Sequence, residues 1–345
     1  MTPLASVTNH QIRLARRPVG LPVRADWSFT AEPVAPPEPG GVVVKTLLLS
    51  LDPAMRGWMN EGKSYIAPVA IDAVMRAGGI GVVIASESTG LAIGDHVSGA
   101  LGVQEYATFD ERQLGRGELV KVDLRVASAT QWLNVLGMPG MTGYFGLMDV
   151  GQPKAGETVV VSGAAGAVGQ TVGQLAKIKG CRAVGIAGGP AKCEWVVKEL
   201  GFDACIDYKA HKDPKALYEA IKAATPDGVD GCFENVGGPI LDATLARMNA
   251  FGRIALCGMI SGYDGQPIPL QQPQLLLTQR LTVEGFIVSE HMEVWPEALK
   301  ELGTLVASGR LKYRETIAEG LEAAPEAFLG LLKGRNFGKQ LVRLG

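Results

Sequence analysis

From Val159 to Gly180 the chain reads VVVSGAAGAVGQTVGQLAKIKG, an apolar β-branched run, a turn of small residues, then helical spacing. Such a stretch can hold a phosphate, because small residues let the backbone approach the ligand while a helix start offers unpaired N–H groups and partial positive charge. Ala164-Ala165-Gly166-Ala167-Val168-Gly169 fits the dinucleotide fingerprint as A-x-G-x-x-G, with alanine in its first slot. No Gly-Lys-Ser/Thr follows, which excludes a P-loop. A site for NAD carries an acidic residue about 20 positions on, where it binds the ribose 2′-OH. Here the second strand, RAVGIA, ends instead in Gly188-Gly189-Pro190-Ala191-Lys192. Exchanging a carboxylate for an ammonium favours a 2′-phosphate, so NADPH is expected over NADH. Tyr208, in IDYK after the next strand, can close over the adenosine end, and Asp207 falls too late to act as the NAD carboxylate.

These residues need a scaffold, and the pattern supplies one. TVVVSG, RAVGIAG, ACIDY, GVDGCFENVG, GRIALCGMI and LTVEGFIV read as strands, with helical stretches from Gln170, Lys192, Pro214 and Ile240 between them. This alternation predicts an α/β Rossmann-type domain, a doubly wound parallel sheet with crossover helices. The first third differs: GVVVKTLLLSL and GIGVVIASES, separated by turns such as PPEPGG and GLAIGDHV, predict a compact β-barrel. Helical spacing starts near Ser128 with SATQWLNVLGMPGMTGYFGLMDVG, and two helices are expected late, at WPEALKELGTLVASG and APEAFLGLLKG. The apolar end, GKQLVRLG, is expected to return to the first domain. The predicted boundaries are 1–127, 128–309 for the nucleotide domain, and 310–345 for the returning segment.

Bulk properties narrow the partners. The 345 residues are 47% hydrophobic and 20% charged with a net charge of -2, a balance that argues against nucleic acid and anionic membrane. With no 18-residue apolar run and no signal-like start, a cytosolic location is expected. Cys181, Cys193, Cys205, Cys232 and Cys257 form no CxxC pair, and Cys181, Cys205 and Cys257 read as core. His96, His10, His211 and His291 are isolated, so neither a metal site nor a disulfide framework is expected.

LSLDPAMRGWM, LGMPGMTGYFGLMDVGQPKAGETVVVSGAAGAVGQTVGQLAKIKGCRAVGIAGG, FENVGG, IALCGMISGY and NFGKQLV together resemble the zinc-independent medium-chain dehydrogenase/reductases. The likeness is to the prostaglandin, alkenal double-bond and curcumin reductases, and it runs from about residue 10 to the end. It implies a GroES-like substrate domain beside the Rossmann domain, and NADPH-dependent reduction of the C=C bond of an α,β-unsaturated ketone or aldehyde. By the same resemblance Gly166, Ala167 and Val168 lie at the pyrophosphate, Lys192 and Tyr208 at the adenosine phosphate, and Asn235 near the ribose, with Gly188 also among the cofactor-binding residues. Cys257, Gly258, Ile260, Phe286 and Val288 line the nicotinamide, Asn336 closes the cofactor, and the molecule pairs as a homodimer through the edge of its nucleotide sheet.

Hydride attack on an enone drives negative charge onto the carbonyl oxygen, which calls for a hydrogen-bond donor. Tyr263 in CGMISGYDG is the expected donor, sharing a bond with the ribose 2′-OH, and the α-carbon then takes a proton from Tyr263 or water. The pocket should be apolar, and Tyr65, Trp58 and Met138 are the candidates for its wall. Two other readings share these residues: a quinone reductase, and an NADPH-binding protein without catalysis.

Overall fold

The computed structural model describes residues 6–344. The chain divides into two units, Asn134–Arg314 and a second built from Met1–Leu133 with Glu315–Gly345. In the first of these the six expected strands form: β1 (Thr158–Ser162), followed by α1 (Gly169–Ile178), β2 (Arg182–Ala187), α2 (Pro190–Lys198), β3 (Ala204–Asp207), α3 (Pro214–Ala224), β4 (Val229–Glu234), α4 (Gly238–Leu245), β5 (Met248–Leu256) and β6 (Thr282–Gly285). They order as β3-β2-β1-β4-β5-β6, every neighbouring pair parallel. All five residues of β1 are buried, as a strand covered by helices on both faces requires. Val160, Val184, Ile206 and Ile254 from the sheet meet Leu217, Ile221 and Leu245 from the helices in one core. The direction of winding reverses between β1 and β4, so their carboxyl ends open side by side, where such sheets take ligands.

The other unit is built on a seven-stranded sheet around the long strand Val42–Leu51. That strand pairs antiparallel with Gly78–Ser86, with Tyr106–Phe109 and with the returning strand Lys339–Arg343. Lys339 is buried against it, its ammonium donating to the Leu51 carbonyl at 2.9 Å and to the Asp52 carboxylate. Among the described residues no helix is long and apolar enough to cross a membrane.

The units divide at 133/134 and 314/315, against the expected 127/128 and 309/310. The change of spacing at Ser128 marks a change of secondary structure only: Leu133, Ala129 and Trp132 of the helix Ala129–Leu133 pack on Leu48, Ile80, Val122 and Leu341 of the sheet unit. At the other end, Gln174 of α1 pairs with Lys312 as a strand would, accepting from its N–H at 2.8 Å and donating to its carbonyl at 2.7 Å. Gln170, one turn earlier, accepts from the Arg314 N–H at 3.0 Å. Two side chains thereby keep residues 312–314 with the nucleotide unit.

Candidate functional site

The turn between β1 and α1 is closed by Gly166, whose N–H donates to the Gly163 carbonyl at 2.8 Å. Sequence reading gave the first fingerprint slot to Ala164, but the left-handed residue is Gly163, with φ 62°. Ala164 is fully buried and faces Gly185 of β2, where a side chain at Gly185 would come within 2.8 Å of it. Glycine is required at the helix start: a Cβ on Gly169 would lie 2.3 Å from the Gly163 oxygen and 2.8 Å from the Ala164 Cα. Gly166 and Ala167 thus form the turn and Val168 is the N-cap of α1, with the N–H groups of Gln170 and Thr171 turned back onto the Gly166 and Val168 carbonyls at 3.1 and 3.0 Å.

At the end of β2 the backbone swings into α2 through Gly189, with φ 101°. Gly188 lies under the side chains of the next crossover: a Cβ there would meet Tyr208 Cε1 and Lys209 Cε, each at 2.9 Å. Lys192 stands on the first turn of α2, and burial, then the charge of Lys209, holds its ammonium below the ordinary lysine range. Burial pushes the Tyr208 phenol up. Gly188, Lys192 and Tyr208 are brought together as expected neighbours, and Lys209 joins them; the sequence reading passed over it although it adjoins Tyr208. Asp207 turns to the backbone, accepting from the N–H groups of Gly189 at 2.7 Å and Lys209 at 3.0 Å.

The third cluster is organised by a buried carboxyl that sequence reading missed. Glu234, fully buried at the end of β4, accepts from Ser162 Oγ at 2.6 Å and from the N–H groups of Val236 and Gly237 at 2.5 and 2.8 Å. Its main-chain oxygen accepts from Cys257 and Gly258 at 2.9 and 3.1 Å. Burial raises its pKa, opposed by these hydrogen bonds. Glu234 therefore fixes both loops that leave β4 and β5, and its place inside FENVGG was the signal available. Asn235 donates through its side chain to the Ser162 carbonyl at 2.7 Å, while its own carbonyl accepts from Ile260 at 3.2 Å. The Tyr263 hydroxyl sits 3.5 Å from where a Cβ on Gly258 would stand. Asn235, Cys257, Gly258, Ile260 and Tyr263 consequently share one patch. Replacing Glu234 with alanine leaves three donors unpaired at about 1–3 kcal/mol each, so a thermal melt should show a fall in Tm well beyond 5 °C, with Glu234→Gln falling much less.

Phe286 and Val288 follow β6 and are buried, the Phe286 ring 5.5 Å from Phe145 and 6.1 Å from Phe233. Met138, at the start of the helix Met138–Phe145, is 47% exposed and so available to a ligand. In the sheet unit, Trp58 donates to the Tyr65 hydroxyl at 2.8 Å, and the Arg76 guanidinium lies 5.4 Å over the indole. Asn336 is buried there and donates to the Gly338 carbonyl at 2.7 Å, which shapes its own turn. Cys181 is buried as expected of a core thiol. Cys205 departs from that expectation: it is only partly buried and shares a side-chain hydrogen bond with Cys193, a pairing hidden by their separation in sequence. Among the described residues no group of three His, Cys, Asp or Glu side chains could hold a metal ion.

A parallel sheet in this order, with a glycine turn at its switch point and a sheet unit assembled from both chain ends, defines a nucleotide-dependent dehydrogenase/reductase architecture. Residues 10–116 match the family described as the N-terminal domain of oxidoreductase, and residues 167–304 the family described as zinc-binding dehydrogenase. The chain is 42% identical over 344 residues to the NADPH-dependent curcumin reductase of Escherichia coli, covering 97% of each. It is 40% identical over 342 residues to the NADP(+)-dependent 2-alkenal reductase of Nicotiana tabacum, again covering 97% of each. The crystal structure of CurA in complex with NADPH from Vibrio vulnificus matches with a TM-score of 0.91 and 41% identity, over 97% of this chain and 99% of that one. The chain belongs to the zinc-independent medium-chain dehydrogenase/reductases, in the group of the curcumin, 2-alkenal and prostaglandin reductases.

Proposed function

We propose that the protein uses NADPH to reduce the C=C bond of α,β-unsaturated ketones or aldehydes. The observation that carries this reading is the Tyr263 hydroxyl held over Gly258 beside the exits of β4 and β5, in a chain that aligns end to end with a curcumin reductase and a 2-alkenal reductase. The residues present fit the cofactor: the bare backbone at Gly169 and Gly188 leaves no room for a side chain, and two lysines with a tyrosine stand where an NAD site has a carboxylate. Gly166, Ala167 and Val168 would hold its pyrophosphate, Lys192 and Tyr208 its 2′-phosphate beside the bare backbone of Gly188, Asn235 its ribose, and Cys257, Gly258, Ile260, Phe286 and Val288 its nicotinamide end. Bound NADPH supplies the hydride. Tyr263 then donates its hydroxyl proton in a hydrogen bond to the substrate carbonyl oxygen as negative charge gathers there. Met138, exposed at the start of its helix, would give the substrate apolar contact.

The decisive test is NADPH consumption with 4-phenyl-3-buten-2-one, with the product identified by mass and NMR. A saturated ketone formed in step with NADPH loss is expected; an allylic alcohol, or no turnover, would reject the reading. Lys192→Ala should raise KM for NADPH by about 10- to 100-fold, the worth of one charge-assisted hydrogen bond to phosphate, and leave KM for NADH nearly unchanged. Equal effects on both cofactors would place Lys192 away from the 2′-phosphate.

We infer a homodimer paired through β6. This edge strand is exposed along its whole length, its Val283 at 44% and Leu277 of the preceding helix at 79%, a surface that favours being covered. Light scattering at micromolar concentration should give twice the mass of one chain, and a single-chain mass would refute the pairing.

A further inference from the structure

Asp207 presents a conflict of charge. A 2′-phosphate carries close to two negative charges, yet this carboxylate immediately precedes Tyr208 and lies two residues from Lys209. Its hydrogen bonds resolve the conflict. Oδ1 accepts at once from the Gly189 N–H and the Lys209 N–H, at 2.7 and 3.0 Å. One of these amides opens the helix that carries Lys192, and the other follows Tyr208. Gly189 needs such a tether, because it enters α2 in a left-handed conformation and contributes no side-chain cap of its own. The same tether keeps Tyr208 and the Lys209 stem against Gly188, at distances that leave no space for a side chain there.

We propose that Asp207 is a positioning residue for cofactor selectivity: by bridging the Gly189 and Lys209 amides it holds Lys192, Tyr208 and Lys209 in place around the 2′-phosphate of NADPH. The inference rests on the NADPH reading above and adds a residue whose own charge opposes the ligand it serves. Geometry and charge can be separated, since asparagine keeps an acceptor oxygen and loses the charge, whereas alanine loses both.

KM and kcat for NADPH and for NADH, measured with the same enone, would be compared in the native protein, Asp207→Asn and Asp207→Ala, alongside competition by 2′,5′-ADP and 5′-AMP. Asp207→Ala is expected to raise KM for NADPH about 10-fold or more and to weaken 2′,5′-ADP in parallel. Its kcat, its KM for NADH and its affinity for 5′-AMP should change less than about twofold. Asp207→Asn should retain the NADPH preference and bind 2′,5′-ADP at least as well as the native protein. Equal losses with both cofactors, no loss in the alanine variant, or an asparagine variant as impaired as alanine would each overturn the proposal. Should Asp207→Ala fail to fold, Asp207→Ser, whose hydroxyl is too short to bridge both amides, is read by the same criteria. A native protein without preference for NADPH would refute the underlying cofactor reading and this inference with it, whereas a native preference unaffected by Asp207→Ala would refute the inference alone.

Discussion

Tyr263→Phe lowers kcat/KM for a conjugated enone by about 10- to 1000-fold and leaves the Kd for NADPH within twofold of native. The range is that of removing one donor aimed at charge that develops in the transition state. Retained NADPH binding is expected because backbone hydrogen bonds tie the loop that carries Tyr263 to the exit of β4. The Tyr263 N–H donates to the Ile260 carbonyl at 3.2 Å, and Ile260 and Ser261 donate in turn to the carbonyls of Asn235 and Val236. The loss should fall chiefly on kcat, since a hydrogen bond that strengthens as the oxygen becomes an enolate contributes less to ground-state binding. Steady-state kinetics with both substrates, together with fluorescence titration of NADPH, separates these quantities. Native kinetics in the variant would exclude Tyr263 from the chemistry.

The second large effect is expected at Gly169. A valine there places Cβ 2.3 Å from the Gly163 oxygen, and neither that oxygen nor the Ala164 Cα at 2.8 Å can swing aside as a side-chain end would. Overpacking of this kind costs about 1–3 kcal/mol, and here the strain falls on the turn proposed to receive the pyrophosphate. Gly169→Val should bind NADPH at least about tenfold more weakly and melt at lower temperature. Gly166→Ala is the control for the melt alone: its Cβ would stand 3.1 Å from the same oxygen, a contact that a small shift relieves, so its Tm should fall much less. Calorimetric titration and a thermal melt read both. A valine variant with native NADPH affinity would show that this turn does not hold the phosphate.

The legibility of these features in the sequence followed their range. The strands of the nucleotide unit were readable because each is a short apolar run set between turn signals, and burial on both faces demands such runs. The phosphate turn was readable in outline, but which residue takes the left-handed conformation depends on how α1 approaches β2, so Gly163 could not be separated from Ala164 by spacing. Glu234 was hidden because a carboxyl among apolar residues looks solvent-exposed until Ser162, 72 positions earlier, is known to bond to it. Asp207 is legible as a carboxylate placed too late for an NAD site, but its orientation is not, since one of its two amide partners lies 18 residues upstream. The join near Leu133 was misplaced because helical spacing says nothing about which sheet a helix packs against.

The chain's last strand carries a consequence for how the molecule is made. Lys339–Arg343 is inserted between Val42–Leu51 and Glu315–Glu319, so the central strand of the sheet unit receives Gly78–Ser86 and Tyr106–Phe109 from within the first 133 residues and its remaining neighbour from beyond the nucleotide unit. On the ribosome, the Leu48–Leu51 end of this strand must wait with one edge open while the whole nucleotide unit is translated and becomes free to fold. The order of completion is therefore the reverse of the order of synthesis: the unit begun first is the one finished last, and only after Lys339–Arg343 has cleared the exit tunnel.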